Sequence, residues 1–235
     1  MRRGSLFQLL VIGVLIGGAV SAVALLIPWL PPSASVERGR IDVVFWLVTA
    51  ICIAIFAIVF AVLIFSYLRF RARADDDSDG PPIHGHTGLE IAWTAVPTVL
   101  VVVIAVASAV ALAKNDHIPA DHMTVDVTAQ QFAWSFKYPG GGDVSSTELR
   151  LPLNKSTELK MQSLDVIHSF WVPQFGQKQD VVPGITTHLK ITPNKVGKFP
   201  VICTELCGLG HATMRAKARV VTQAEFDKWV KEKQA

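Results

Sequence analysis

The chain has 235 residues, of which 51% are hydrophobic, and its mean hydropathy is +0.40. This is too apolar for an ordinary soluble domain of this length, so a membrane-embedded part is expected. The formal net charge of +3 is too small to indicate a nucleic-acid-binding protein, and an odd count of three cysteines argues against a disulfide framework.

Long uncharged runs predict membrane-spanning helices. About 20 residues cross a hydrocarbon core of roughly 30 Å, because a helix rises about 1.5 Å per residue. Two such runs lie within 43–68 and 91–114, and we predict that each is a transmembrane helix. The loop between them, 69–90, is then predicted to be cytoplasmic, because Arg69 and Arg71 follow the second run directly and arginine is enriched on that side. The third arginine of this group is Arg73.

Residues 1–30 contain another apolar run, which is open to two interpretations. Arg2 and Arg3 precede it, and Val20-Ser21-Ala22 resembles a small-residue cleavage site, which is typical of a secretory signal peptide. The apolar character continues to Leu30, beyond a typical signal core, which favours an uncleaved transmembrane helix. In both cases the polar C-terminal part lies on the outer face.

The polar part, 115–235, consists of short segments bounded by turn residues. Val125 and Val127 alternate with polar neighbours, as in a strand with one buried face. Several short strands at this spacing predict an antiparallel sandwich or barrel. Thr222 and Glu225 form a capping-box pattern, which predicts a final helix.

Residues 203–214 concentrate metal-binding side chains in one loop. Cys203, Cys207, His211 and Met214 supply two thiols, an imidazole and a thioether, and His168 lies on a separate predicted strand. Sulfur and imidazole ligands favour copper over hard cations. Two thiolates can bridge two metal ions, with one histidine completing each and Met214 as a weak axial ligand.

Three other sites use some of the same side chains. Structural zinc binds two cysteines and two histidines, although Cys-x3-Cys-x3-His is not its common spacing. A Cys203–Cys207 disulfide suits an oxidising compartment but leaves the histidines unexplained. A mononuclear blue-copper site needs only one cysteine. The ligand types favour two coppers and leave these alternatives open.

Over nearly its whole length the chain resembles subunit II of haem–copper cytochrome c oxidases. The resemblance is carried by three motifs: Cys203-x-Glu205-Leu206-Cys207-Gly208-x-Gly210-His211-x-x-Met214, Asp165-Val166-Ile167-His168-Ser169-Phe170 and Lys178-x-Asp180-x-x-Pro183-Gly184. It implies a dinuclear CuA centre with the ligands His168, Cys203, Glu205, Cys207, His211 and Met214. The cysteines would bridge both coppers, and Glu205 would bind through its carbonyl while its side chain reaches a magnesium ion at the boundary with subunit I. The implied fold is a set of N-terminal transmembrane helices followed by an all-β cupredoxin-like barrel, 115–235, with a short C-terminal helix.

A second match lies at the start of the third run. Leu89-Glu90-Ile91-Ala92-Trp93-Thr94-x-x-Pro97 resembles the segment whose glutamate stands at the mouth of a proton-uptake path into subunit I. Glu90 is therefore a candidate proton-entry residue. The alternative is a favourable negative charge at a helix N-terminus.

The chain departs from the family where electrons enter. The family's aromatic segment has a tryptophan at the position of Phe132, while Trp134 aligns with the second tryptophan and is expected in the core. Asp165 matches a docking acid, but from Asn115 onward there are 14 Lys and Arg against 12 Asp and Glu. This balance gives no strong field to steer a basic cytochrome, so we expect more apolar contact with the donor.

The resemblance implies the electron-entry subunit of a respiratory cytochrome c oxidase in a bacterial-type plasma membrane, with its C-terminal domain on the periplasmic or extracellular side. The expected partners are subunit I, subunit III, a c-type cytochrome and membrane lipid, and no nucleic acid. Oxygen chemistry would belong to the complex. The alternatives are the CuA subunit of a nitric oxide reductase complex and a membrane-anchored copper carrier.

Overall fold

The computed structural model describes residues 3–71, 75, 80 and 82–234, so Arg2 and Arg73 lie outside the described residues. The helices are α1 (Arg3–Leu26), α2 (Val36–Phe70), α3 (Thr87–Asp116) and α4 (Gln223–Gln234). The first three are long and apolar enough to cross a membrane. Both α2 and α3 extend past the uncharged runs into polar sequence, with an acid in the first turn and a base in the last, as the helix dipole favours.

Small residues line the contact between α1 and α2. A Cβ atom placed on Gly13 would lie 3.6 Å from Ala61, and one on Gly17 would lie 3.4 Å from Ala57. Ala61 is only 3% exposed. Close approach of two backbones through small residues is a common way for membrane helices to associate.

The rest of the chain forms two five-stranded sheets. The strands are β1 (Met123–Gln130), β2 (Ala133–Tyr138), β3 (Val144–Ser146), β4 (Glu148–Pro152), β5 (Thr157–Ser163), β6 (His168–Trp171), β7 (Lys178–Val181), β8 (Thr187–Ile191), β9 (Gly197–Cys203) and β10 (Arg215–Val221). Their orders are β3-β2-β1-β5-β8 and β4-β10-β9-β6-β7. The predicted fold class, apolar N-terminal helices followed by an all-β cupredoxin-like domain and a short C-terminal helix, is confirmed.

The expectation that the strands are all antiparallel was wrong in two places. β1 lies parallel to β5, with Val125 beside Leu159, and β4 lies parallel to β10. Parallel neighbours need a long crossover connection, here supplied by the strands that lie between them in the chain. The alternation of apolar and polar residues predicts that a segment is a strand, but it does not predict whether the neighbouring strand runs parallel or antiparallel to it.

The core lies between the two sheets. Along β2, Trp134, Phe136 and Tyr138 are buried while the residues between them are exposed. Tyr138 also packs against Phe226 and Trp229 of α4, with ring centroids 5.9 and 5.1 Å away. The capping box at Thr222 is present and begins this helix.

The segment before α2 packs on the β domain. Ala34 donates a backbone hydrogen bond to Gln174, and the Ser35 hydroxyl donates to the carbonyl of Phe175 at 3.0 Å. Glu37 accepts the backbone N–H of Thr192 at 2.8 Å and is 1% exposed. Residues 31–43 therefore belong to the same compact unit as 109–235.

Candidate metal centre

The six predicted ligands come from two neighbouring strands and one loop. His168 begins β6, Cys203 ends β9, and the loop after β9 carries the others as far as Met214. β6 and β9 pair in antiparallel register, with Phe170 opposite Cys203. This pairing brings the histidine of one strand to the cysteine of the other. A short helical turn at His211–Thr213 then folds the loop back.

The ligand atoms converge on one point. The Sγ atoms of Cys203 and Cys207 are 3.8 Å apart, and His168 Nδ1 lies 3.9 Å from the first sulfur. His211 Nδ1 and Met214 Sδ each lie 3.7 Å from the Cys207 sulfur. These separations suit donors around a metal, and the two sulfurs are too far apart for a disulfide bond.

The sixth predicted ligand, Glu205, also faces this point. Its backbone carbonyl oxygen lies 3.3 Å from Cys203 Sγ. Its side chain is exposed, and so remains accessible to an ion or a partner subunit. The carbonyl of Glu205 therefore lies beside the ligand sulfur, while its side chain is exposed to solvent.

Burial raises the pKa of the Cys207 thiol. Both cysteines are 3% exposed. Burial, followed by the adjacent Cys203 thiol, raises the pKa of Cys207 to about 11. A buried thiolate needs a compensating positive charge, so this thiol stays protonated near neutral pH unless a cation binds.

Asp165 orients His168 from behind. Its carboxylate accepts a hydrogen bond from His168 Nε2 at 2.8 Å, which leaves Nδ1 free to face the sulfurs. The same carboxylate accepts the backbone N–H groups of Gln131 at 2.6 Å and Val166 at 2.7 Å. Partial burial opposes ionisation, but these three donors outweigh it and lower the pKa of Asp165 to about 2.

Phe132 covers the ligand loop. A Cβ atom placed on Gly210 would lie 2.5 Å from the Phe132 ring, and one on Gly208 would lie 3.3 Å from it. The ring is 39% exposed, so one face meets the loop and the other meets solvent. Trp134, the other aromatic candidate, is 2% exposed and lies edge-on to His168, with ring centroids 6.1 Å apart.

An exposed apolar rim is formed by side chains that neighbour the ligands in the chain, and the sequence analysis did not single out these residues. Large apolar side chains flank the ligands along the chain and are exposed to solvent: Leu164, Val166, Ile167, Leu206 and Leu209. Leu206 is 79% exposed, and Leu209 is fully exposed. Leucines placed between metal ligands on a glycine-containing loop are a signal that could have revealed this surface. Exposed apolar patches of this kind mark interaction sites.

Glu90 lies in the first turn of α3, away from these side chains in the sequence. Its Oε1 atom accepts the backbone N–H of His86 at 3.1 Å, and His86 Nδ1 accepts the N–H of Leu89 at 3.2 Å. This reciprocal arrangement caps the helix. Thr94 and Thr98 follow on the same face, so a polar stripe leads along the helix from the carboxylate.

Comparison with known proteins identifies the family. Residues 144–221 match the cytochrome c oxidase subunit II periplasmic domain, and residues 22–110 match its transmembrane domain. The chain is 34% identical to cytochrome c oxidase subunit 2 of Synechocystis sp., over 94% of this chain and 81% of the relative. It is 33% identical to the same subunit of Thermostichus vulcanus, over 88% and 79%.

Among solved structures, the periplasmic domain of cytochrome oxidase subunit II from Bradyrhizobium japonicum is 32% identical, covers 50% of this chain and 97% of its own, and has a TM-score of 0.48. Copper binding and electron transport follow from the family that the sequence matches. The chain belongs to the cytochrome c oxidase subunit II family and is a membrane-bound subunit of an oxidoreductase complex that works with other oxidase subunits and a cytochrome c.

Proposed function

We propose that the chain is the electron-entry subunit of a respiratory cytochrome c oxidase and holds a dinuclear CuA centre. The observation that carries the proposal is the convergence of two imidazoles, a thioether and a carbonyl on two thiols, each donor atom lying 3.3–3.9 Å from a cysteine sulfur. When bound, the two coppers supply one-electron transfer between a c-type cytochrome and haem in subunit I, in a complex that reduces oxygen and transports protons.

The donor set fits two coppers better than the competing sites. Cys203 and Cys207 would hold the two ions through their thiolates, His168, His211 and Met214 through their side chains, and Glu205 through its backbone carbonyl. A structural zinc site uses four donors and would leave Met214 without a role although it is fully buried beside Cys207. A mononuclear copper site would leave a second buried thiol unused.

We assign electron entry to Phe132 rather than to Trp134. A donor protein must come close to the ligand loop, and Phe132 combines an exposed face with van der Waals contact to the glycines between Cys207 and His211. Trp134 is covered by protein, so its role is packing against His168 and Phe170. A phenylalanine can provide contact with the donor, as a tryptophan does elsewhere in the family.

The donor is expected to bind through the apolar rim rather than through Asp165. Both carboxylate oxygens of Asp165 already accept hydrogen bonds within the domain. Leu206 and Leu209 instead project from the ligand loop and are fully or nearly fully accessible. We therefore expect cytochrome oxidation to fall only weakly as salt is added, and a steep fall would show that charge controls docking.

Two further sites would face subunit I. The exposed Glu205 carboxylate is suited to hold magnesium at the subunit boundary, since oxygen ligands suit this ion. Glu90 is proposed as the proton-entry residue, supported by the polar stripe of Thr94 and Thr98 that leads from it. Slower proton uptake in Glu90→Gln, with unchanged copper, would support this role. If the turnover of the Glu90→Gln oxidase is unchanged, the role of Glu90 is limited to capping the N-terminus of α3.

The proposed topology has three spans with 115–235 on the outer face of a bacterial-type plasma membrane. Arg69 in the last turn of α2 supports a cytoplasmic loop at 69–90. The close packing of Gly13 and Gly17 on α2 supports retention of α1 as a span rather than its removal as a signal peptide. N-terminal sequencing beginning near Val23 would overturn retention. Subunits I and III and lipid would cover the apolar helix faces.

The function is tested on the purified oxidase by electron paramagnetic resonance. We expect a hyperfine pattern from one electron shared equally by two copper nuclei, together with two coppers for this subunit. Cys203→Ser should abolish the shared-electron signal. Met214→Leu should change the reduction potential while keeping copper. A mononuclear pattern, or zinc by elemental analysis, would refute the proposal. Reduction of nitric oxide in place of oxygen by the purified complex would refute the assigned acceptor.

A further inference from the structure

The turn between β1 and β2 is tied to both halves of the metal centre by Gln131. Its backbone N–H donates to Asp165, the residue that orients His168. Its side-chain amide Nε2 donates to the carbonyl oxygen of Cys207 at 2.5 Å. A single residue thus contacts the support of one ligand through its backbone and the peptide of another through its side chain.

The ligand loop leaves space for this amide. Gly208 has φ +130°, a conformation that residues with a side chain rarely adopt. A Cβ atom at this position would lie 2.8 Å from Gln131 Nε2, too close for the hydrogen bond to persist unchanged. The absence of a side chain at 208 therefore serves the approach of Gln131, in addition to the tight turn that the sequence predicts.

We propose that Gln131 is a positioning residue of the copper centre, which holds the Cys207 peptide in place and makes reduction of the centre more favourable. The proposal rests on the proposed CuA function. Gln131 does not reach any of the sulfur or imidazole donors in the described hydrogen bonds, so it acts through Cys207. It also precedes Phe132, so it links the donor-facing surface to a bridging ligand.

The sign of the effect follows from the orientation of the amide. The positive end of its N–H dipole points at the carbonyl of Cys207 and so makes the electrostatic potential at the metal centre more positive. Adding an electron lowers the charge of the centre, and a nearby positive dipole stabilises that state. Removing the donor should therefore make reduction less favourable. The backbone bond from residue 131 to Asp165 survives any side-chain substitution, so the support of His168 is retained.

The experiment compares Gln131→Ala and Gln131→Glu with Gln130→Ala in the purified oxidase. Gln130 is the neighbouring glutamine, exposed at the end of β1, and its side chain makes no hydrogen bond among the residues described. The reduction potential of the copper centre is measured by redox titration, and its hyperfine pattern by electron paramagnetic resonance. In the metal-free protein, the alkylation rate of Cys207 reports how firmly its peptide is held.

For Gln131→Ala we expect the equilibrium constant for reduction to fall roughly threefold to tenfold, the worth of one neutral hydrogen bond, and Cys207 to be alkylated faster. Gln131→Glu should give a larger fall, because it replaces the donor with a negative charge. Gln130→Ala should match the wild type. If Gln131→Ala retains no copper, Gln131→Met keeps the side-chain length and provides the same comparison.

Two different failures can be told apart. A wild-type spectrum without an electron shared by two coppers would refute the proposed function. A wild-type spectrum with that pattern, together with Gln131 variants whose potential equals that of Gln130→Ala, would refute only the role of Gln131. A loss of thermal stability without a change in potential would also refute it, since a purely structural contact predicts that result.

Discussion

Replacing Gly210 with alanine tests whether Phe132 is packed on the ligand loop. A Cβ atom at this position would lie 2.5, 2.6 and 2.8 Å from three atoms of one ring, Phe132 Cδ2, Cγ and Cε2. Ordinary carbon contacts are about 3.5–4.0 Å, so the ring or the loop must move by roughly 1 Å. Such overpacking typically costs about 1–3 kcal/mol.

The destabilisation caused by Gly210→Ala should depend on the presence of the Phe132 ring. We expect Gly210→Ala to lower the unfolding temperature of the purified subunit and to slow electron entry from cytochrome c. In a Phe132→Ala background most of the cost of the same substitution should vanish, since all three close contacts are to that ring. The coupling energy of this double-mutant cycle measures the contact directly.

A matched glycine provides the control. Gly140 has no heavy atom within 4 Å of its Cβ position, so Gly140→Ala should be close to neutral. Additive effects of Gly210→Ala and Phe132→Ala would refute the packing of Phe132 on the loop. A Gly210→Ala variant as stable as Gly140→Ala would refute it as well.

Three further predictions concern ionisable groups. The pKa of Cys207 is raised to about 11, so its thiol must lose a proton when copper binds. Copper affinity, measured by competition with a chelator, should therefore rise between about pH 6 and pH 8. Equal affinities at the two pH values would contradict this. Asp165→Asn should weaken copper retention about 10–100-fold in the same assay, because the histidine ligand loses its anionic partner. Lys190→Met should lower the free energy of unfolding by about 3–5 kcal/mol, because it leaves the buried Glu37 carboxylate, 1% exposed and 3.6 Å away, without its ammonium partner. Lys195→Met, at an exposed position, should change little. Equal melting temperatures for the two variants would contradict a stabilising Glu37–Lys190 ion pair.

The sequence by itself determined those features that depend on neighbouring residues in the chain. Continuous apolarity fixes the three long helices, because a lipid-exposed segment needs both an apolar surface and internal hydrogen bonds. The capping box at Thr222 fixes the start of α4. The spacing of thiols, imidazole and thioether in 203–214 determined the candidate ligands, and the family motifs made the choice specific.

The tertiary structure decided whatever joins distant parts of the chain. The parallel pairing of β1 with β5, the docking of Ser35 on the β domain and the two hydrogen bonds of Gln131 each connect segments far apart in sequence. Sequence patterns do not predict such contacts, because they depend on which strands become neighbours in the folded domain. The same holds for Phe132. Its substitution was visible in the sequence, but only the fold shows that its ring lies on the glycines of the ligand loop.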